Sequence, residues 1–259
     1  MYGEPGKTSA GAHRFARIDV TPAYRQVFEA VEGALLRGEL QPGDPLPSEM
    51  ALAAQLGVNR STAREGLRLL EESGLVERSG RRRLFAAIPG EETLSTRASR
   101  ALLLRKVRFR ELWQLLMALE PAAAALAASA ANEDDLQALE ANVRATAAVV
   151  ERGESFVRLD SAFHTLVAQA THNTAWPLTH EPVATLIFPA MDRLLPRLPW
   201  AGDRLLEAHR RIVAAIAARD ADTAARWMRR HIEDFARGCE LAGLDMDDPV
   251  GLASSETSA

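Results

Sequence analysis

From Phe109 onward the apolar residues recur three and four apart in six successive stretches: 109–130, 133–151, 153–171, 175–196, 203–219 and 221–242. No stretch there alternates with the two-residue period of a strand, so this part reads as an all-α antiparallel bundle. Asn132-Glu-Asp-Asp and Asp220-Ala-Asp put capping and acidic residues at two helix starts, where the helix dipole favours them. Ahead of the bundle the pattern is broken more often. Thr21-Pro22 predicts a helix start, with Thr21 as N-cap, and Val27, Val31 and Leu35 follow at helical spacing up to Gly38. The run from Gln41 to Pro47 is too rich in proline for helix. Ser48 then caps a short helix with Leu52 and Leu56 inward, stopped by Gly57. Asn59 caps a third from Arg60 to about Ser73, with Ala63, Leu67 and Leu70 inward, ended by Gly74. Leu75–Ser79 and Leu84–Ala87 flank the stretch 79–83, which predicts a hairpin with a basic tip.

The fold class is therefore mainly α: three helices and a small β-hairpin joined to an all-helical domain. The boundaries are a disordered tail over 1–16, a first domain over 17–88, a linker over 89–107, the helical domain over 108–242, and a flexible tail over 243–259. A chain of 259 residues supports two modest domains, and an aromatic share of only 5% beside abundant Ala and Leu agrees with helix. The single cysteine, Cys239, excludes an internal disulfide and cysteine-based zinc fingers. No apolar run is read as long enough to span a membrane, and the start lacks the apolar core of a signal peptide. The expected compartment is the cytoplasm.

Charge changes the picture of the first domain. The net charge of −4 speaks against nucleic acid, yet residues 1–90 carry 12 Lys and Arg against 11 Asp and Glu. Within 60–83 there are seven arginines against four glutamates. Arg60, Arg64 and Arg68 lie four apart on the side of the third helix opposite its apolar residues, with Ser61 and Thr62 in its first turn. The turn Gly57-Val58 fits a helix-turn-helix, whose second helix enters the major groove by its N-terminus, and the hairpin then makes a wing. Residues 42–76, from Pro-Gly-Asp-Pro-Leu-Pro-Ser-Glu through Gly-Val-Asn-Arg-Ser-Thr-Ala-Arg-Glu-Gly-Leu-Arg-Leu-Leu, resemble the winged-helix signature of GntR-superfamily regulators. The resemblance implies that Arg60 and Arg64 are the principal operator contacts, that Asn59, Ser61 and Thr62 read or clamp nearby, and that Gly80 and Arg81 reach the minor groove. Two positions depart from the pattern: Gly66 stands where Ala is usual, and Met50 where some members have a phosphate-binding Arg.

In the helical domain Asp160 and His164 stand four residues apart, so a helix presents both on one face at chelating distance. His209 and His231 fall on two later helices. If those helices surround one cavity, the four side chains form a carboxylate and imidazole set suited to zinc first, with nickel, manganese or iron as alternatives. His172 and His180 have no partner at chelating spacing and read as structural. Leu119-Glu-Pro-Ala-Ala, Asp160-Ser-Ala-Phe-His164, Ala170-Thr-His-Asn173, His209 through Ile216 and Asp220 through His231 resemble the FCD effector domain of the FadR branch of the same superfamily. That resemblance implies Asp160, His164, His209 and His231 as metal ligands, with a small carboxylic acid completing the shell. Leu116 occupies a position where many members have Arg. Asn173 is a candidate effector contact, or simply caps its own loop; Arg144, Arg193 and Arg204 are candidate anion partners if they point inward.

Together these features predict a homodimeric transcription regulator, not an enzyme. It would bind double-stranded operator DNA, with an affinity controlled by a small-molecule effector, expected to be a carboxylic acid metabolite, at the metal site of the helical domain. Whether it represses or activates stays open. The alternatives are a metal-dependent hydrolase, for which no general base in a His-Glu-x-x-His arrangement is present, and a DNA-binding protein without an effector.

Overall fold

The computed structural model describes residues 21–80, 83–194 and 198–251. The chain divides into two compact units at Pro89–Gly90, each considered by itself. The first contains α1 (Ala23–Leu36), α2 (Glu49–Leu56), α3 (Arg60–Ser73), β1 (Val76–Ser79) and β2 (Arg83–Ala86). Its core is small: Val27 and Val31 of α1 meet Leu52 of α2, Leu67 and Leu70 of α3, and Val76 of β1. α1 starts one residue later than expected, because Pro22 rather than Thr21 holds the N-cap position and offers no side-chain cap. Ser48 and Asn59 do cap α2 and α3, accepting from the backbone N–H of Ala51 and Thr62. Gly57 and Gly74 end those helices in the left-handed conformation that glycine adopts without steric cost. β1 and β2 pair antiparallel, Val76 opposite Ala86 and Ser79 opposite Arg83. The proline-rich loop runs beside β2, where Leu46 N–H donates to Leu84 and Ala86 N–H to Asp44.

The second unit contains α4 (Glu91–Leu104), α5 (Phe109–Ala130), α6 (Glu133–Glu151), α7 (Val157–Gln169), α8 (Ala175–Leu194), α9 (Ala201–Ala217) and α10 (Ala221–Leu241). α10 packs along α5 and α9, and α7 lies between α6 and α8. The stretch expected as a linker holds α4, which docks on α8; Ser99 of α4 is buried and its hydroxyl donates to the carbonyl of Pro182. The stretch expected as a flexible tail is also ordered through Val250. Its carbonyls of Met246 and Asp248 accept from the N–H groups of Arg110 and Phe109. These are donors that the first turn of α5 cannot satisfy internally. Met246 and Val250 bury their side chains there, so apolar burial and helix capping both hold the segment. The expected tail over 1–16, and residues 252–259, lie outside the described residues.

By length and composition α5 is apolar enough to cross a membrane, contrary to expectation. Its Leu112, Leu116, Ala124 and Ala127 are buried in the core of the second unit, as in a central helix of a bundle. Leu116 belongs wholly to this packing.

Gly66 acquires a physical reason. A Cβ at this position of α3 would stand 2.6 Å from Val27 Cγ1 and 2.9 Å from the carbonyl oxygen of Tyr24 on α1. The missing side chain lets the two helices approach. Gly66→Ala gains about 1 kcal/mol of helix propensity, but overpacking against backbone costs about 1–3 kcal/mol. We expect the substitution to lower the melting temperature of the full chain; a rise would show that the helices do not need this approach.

Candidate metal centre and nucleic-acid interface

Asp160 and His164 point inward from α7 because Val157, Phe163 and Val167 on the same buried side anchor that helix in the core. His209 lies between Leu206 and Ile212 on the buried side of α9, and its ring stacks on Phe163 at 3.6 Å between centroids. His231 sits on α10 beside Ile232 and Met228. The four expected ligands therefore meet, all buried. Asp160 Oδ1 is 3.2 Å from His209 Nε2, 3.6 Å from His231 Nε2 and 3.7 Å from His164 Nε2. His164 and His231 bring their Nε2 atoms to 3.1 Å. Ligands about 2.0–2.1 Å from a tetrahedral cation stand about 3.3 Å apart, which these separations match. Asp160 Oδ1 and both ring nitrogens of His209 are buried without an aligned hydrogen bond from the protein. Buried polar atoms are seldom left so, and the set has the chemistry to hold a divalent cation.

Two further residues belong to the site. His164 Nδ1 lies 2.8 Å from Glu120 Oε2 on α5, and His180 Nε2 on α8 lies 3.0 Å from Glu120 Oε1. Both residues are about 1% exposed. An ionised carboxylate only accepts, so His164 carries its proton on Nδ1 and turns Nε2 towards Asp160 and His231. Carboxylate partners of this kind orient metal-binding histidines. Glu120 was legible as the one charged residue between Leu112 and Ala130 in an otherwise apolar helix. His180, read above as structural, shares its buried helix side with Val183, Ala184 and Ile187 at helical spacing; only the fold places it against Glu120. His172 pairs instead with Asp135 at the surface, at 2.7 Å.

Burial disfavours charge on Glu120, but the charge and hydrogen bond of His164, together with His180, outweigh it and hold the carboxyl at about 2. Burial likewise opposes Asp160, and its imidazole neighbours overcome it and keep the acid well below the usual range. For His164 burial favours the neutral ring, yet Glu120 and Asp160 raise it overall. For His209 burial wins over the attraction of the Asp160 carboxylate 3.2 Å away, with His231 and His164 adding repulsion, and the ring is held down to about 3.

A narrow cleft of about 50 Å³ reaches Asp160 and His231 from the surface. Arg204 lines it and is ion-paired to Asp234, with Nε at 3.1 Å. Two other candidate effector contacts are elsewhere. Arg144 pairs with Glu140 one turn away on the exposed side of α6. Asn173 accepts from the N–H of Ala175 at 3.0 Å and so caps the start of α8.

In the first unit, Arg60 and Arg64 lie on the exposed side of α3 and share one carboxylate. Glu49 at the start of α2 accepts from Arg60 Nε at 3.1 Å and from Arg64 Nη2 at 3.0 Å. Arg68 is instead neutralised by Glu65 and Glu72, which sets it apart from the other two. Asn59 spends its side-chain oxygen on the helix cap and on the Ser61 hydroxyl, at 2.8 and 2.6 Å. Thr62 supplies the capped N–H. Gly80 turns the hairpin at φ +66°, whereas Arg81 lies outside the described residues. Glu49 was not among the expected site residues; its place in the first turn of α2 gave only a helix-dipole reason for an acid.

In chain order, a winged helix-turn-helix is followed by a helical unit with a buried cluster of carboxylates and histidines. Residues 23–85 match the bacterial regulatory proteins of the gntR family, and residues 111–234 match the FCD domain. The HTH-type transcriptional regulator LutR of Bacillus subtilis (strain 168) is 32% identical over 210 residues, spanning 78% of this chain and 95% of the relative. The Glc operon transcriptional activator of Escherichia coli (strain K12) is 30% identical over 224 residues, 82% and 86% of the two chains. Among solved structures, the Streptococcus agalactiae GntR superposes with a TM-score of 0.61 at 28% identity, covering 83% of this chain and 99% of that one. The chain belongs to the GntR family, as a FadR-like regulator with an FCD domain, and is a transcription regulator rather than an enzyme.

Two outcomes follow from this geometry. Glu120→Gln should weaken zinc binding by roughly 10- to 100-fold in competition with a chelator, the usual effect of removing an orienting carboxylate; unchanged affinity would mean that His164 is oriented without it. In the metal-free chain, His209 resists protonation between its ordinary 6.5 and about 3, and Glu120 resists it between 4.5 and about 2. Both depressed groups stabilise the fold above their ordinary values and lose that contribution as pH falls. His164, which is raised, acts in the opposite direction, so the test is a difference: below pH 6.5 the melting temperature of chelator-treated His209→Gln should fall less steeply than that of the parent chain. Parallel curves for the two proteins would contradict the assignment.

Proposed function

We propose that this protein is an effector-responsive regulator. Its winged helix-turn-helix binds operator DNA through Arg60 and Arg64, and its helical unit holds a divalent metal on Asp160, His164, His209 and His231. The observation that carries this reading is the convergence of those four buried ligand atoms within 4.8 Å of one another beside a cleft open to solvent. When bound, the metal supplies positive charge and coordination positions for a carboxylate, with zinc the first choice for this ligand set. The protein's part is to orient His164 through Glu120, to keep His209 neutral, and to exclude bulk water around the centre.

On the DNA side, Glu49 keeps two arginines extended at the end of α3 that leads into a major groove. Asn59, Ser61 and Thr62 hold the first turn, and Gly80 and Arg81 of the wing complete the proposed interface. A homodimer suits two operator half-sites. The exposed Leu115 and Leu126 of α5, eleven residues or about three turns apart, form an apolar edge that supports pairing of two copies. Effector binding alters operator affinity only if it favours one of the protein's conformations over another.

The test is selection of bound sequences from a random duplex pool by the zinc-loaded chain. A two-fold symmetric site should emerge. Arg64→Ala should then bind that site roughly 10- to 100-fold more weakly, with specificity relaxed at one position per half-site. His209→Ala should lose zinc while still binding the same DNA. Failure to enrich any sequence would remove the operator reading; retention of stoichiometric zinc by the His209 variant would remove the metal reading.

A further inference from the structure

The cleft beside the metal centre has a distinctive wall. One end is formed by Asp160 and His231. Away from that end the surface is mostly apolar: Phe156, Met191, Leu198, Trp200, Leu205 and Phe235. Arg204 is the one cation among the described lining residues, and it is already occupied. Asp234 takes its guanidinium in a two-pronged ion pair, and the group also lies 5.6 Å from the centre of the Trp200 ring.

From this wall we propose that the effector is an apolar monocarboxylate, an acid with a single anionic group and an aromatic or alkyl body. The proposal rests on the reading of Asp160, His164, His209 and His231 as a metal centre. One carboxylate is matched by the metal. A second would find no free cation among the described lining residues and would face the carboxylates of Asp160 and Asp234. Hydroxyl groups along the body would lose water and meet carbon, which leaves buried polar atoms without partners. An apolar body gains from the same surfaces by leaving water. The cleft thus selects by what it lacks as much as by what it offers.

The experiment is calorimetric titration of the full-length zinc-loaded protein, at one pH and ionic strength, with benzoate, hexanoate, glycolate and malonate. We expect benzoate and hexanoate to bind at least tenfold more tightly than glycolate or malonate. Phe235→Ala should weaken benzoate severalfold while leaving zinc content and glycolate affinity unchanged; a variant that also loses zinc is replaced by Trp200→Ala, at the exposed mouth. Equal affinities, or a preference for malonate or glycolate, overturn the proposal and leave the metal centre standing, since those acids report on the same ion. Absence of zinc binding overturns both; zinc binding with no binding of the four acids overturns this proposal alone.

Discussion

The second unit is organised around six carboxylate and imidazole side chains buried in a mainly apolar core. Asp160, His164, His209, His231, Glu120 and His180 come from five helices, α5, α7, α8, α9 and α10. A charge removed from water is tolerated only when it is paired or coordinated. Glu120 accordingly stands between two histidines, His164 lies against Glu120, and the ring of His209 stacks on Phe163. The bundle's register follows from that need. Sliding any one helix by a residue would turn its polar group into apolar packing and strand its partner. The same arrangement leaves Asp160 Oδ1 and His209 Nε2 unsatisfied by protein donors. Apolar packing in this unit is therefore accompanied by buried polar atoms left without an aligned protein partner.

Opposite charges are managed differently in the first unit. Glu49 gathers Arg60 and Arg64 at the surface, where water screens the pair and either arginine can exchange the carboxylate for a phosphate or a base edge at little cost. Arg68, held by two glutamates on its own helix, is the weaker candidate for such an exchange. Capping by Asn59 and the glycine-assisted approach of α3 to α1 fix where the side chains of Arg60 and Arg64 begin. Both units therefore position charged groups with apolar packing, one in its interior and the other at its surface.

Most helices were legible because their apolar spacing and caps are local properties: α5, α6 and α3 fall where the periodicity of Leu112, Leu139 and Leu67 puts them. Three departures have non-local causes. α4 lacks a strong apolar face and is recognised by its docking on α8. Residues 246–250 look like a polar tail and are ordered by the open N–H groups of α5. Gly66 looks like a weakness in α3 and is a contact surface for α1. The Asp160–His164 pair was readable from spacing, and the motif resemblance extended it to His209 and His231, but no spacing could join Glu120 to His180 across 60 residues.

The sequence by itself determined most of the helices, the row of Arg60 and Arg64 on one side of α3, and the shared face of Asp160 and His164. Those depend on residue type and on separations of three or four positions, which the geometry of one helix converts into distances. What only the tertiary structure decided is which polar groups share an interior and which are satisfied elsewhere: that Arg144 and Asn173 are spent on neighbours, that Arg204 is neutralised by Asp234, and that Glu120 stands between His164 and His180. A side chain's chemistry is local, but its solvent exposure and its partners are set by the helices that close over it.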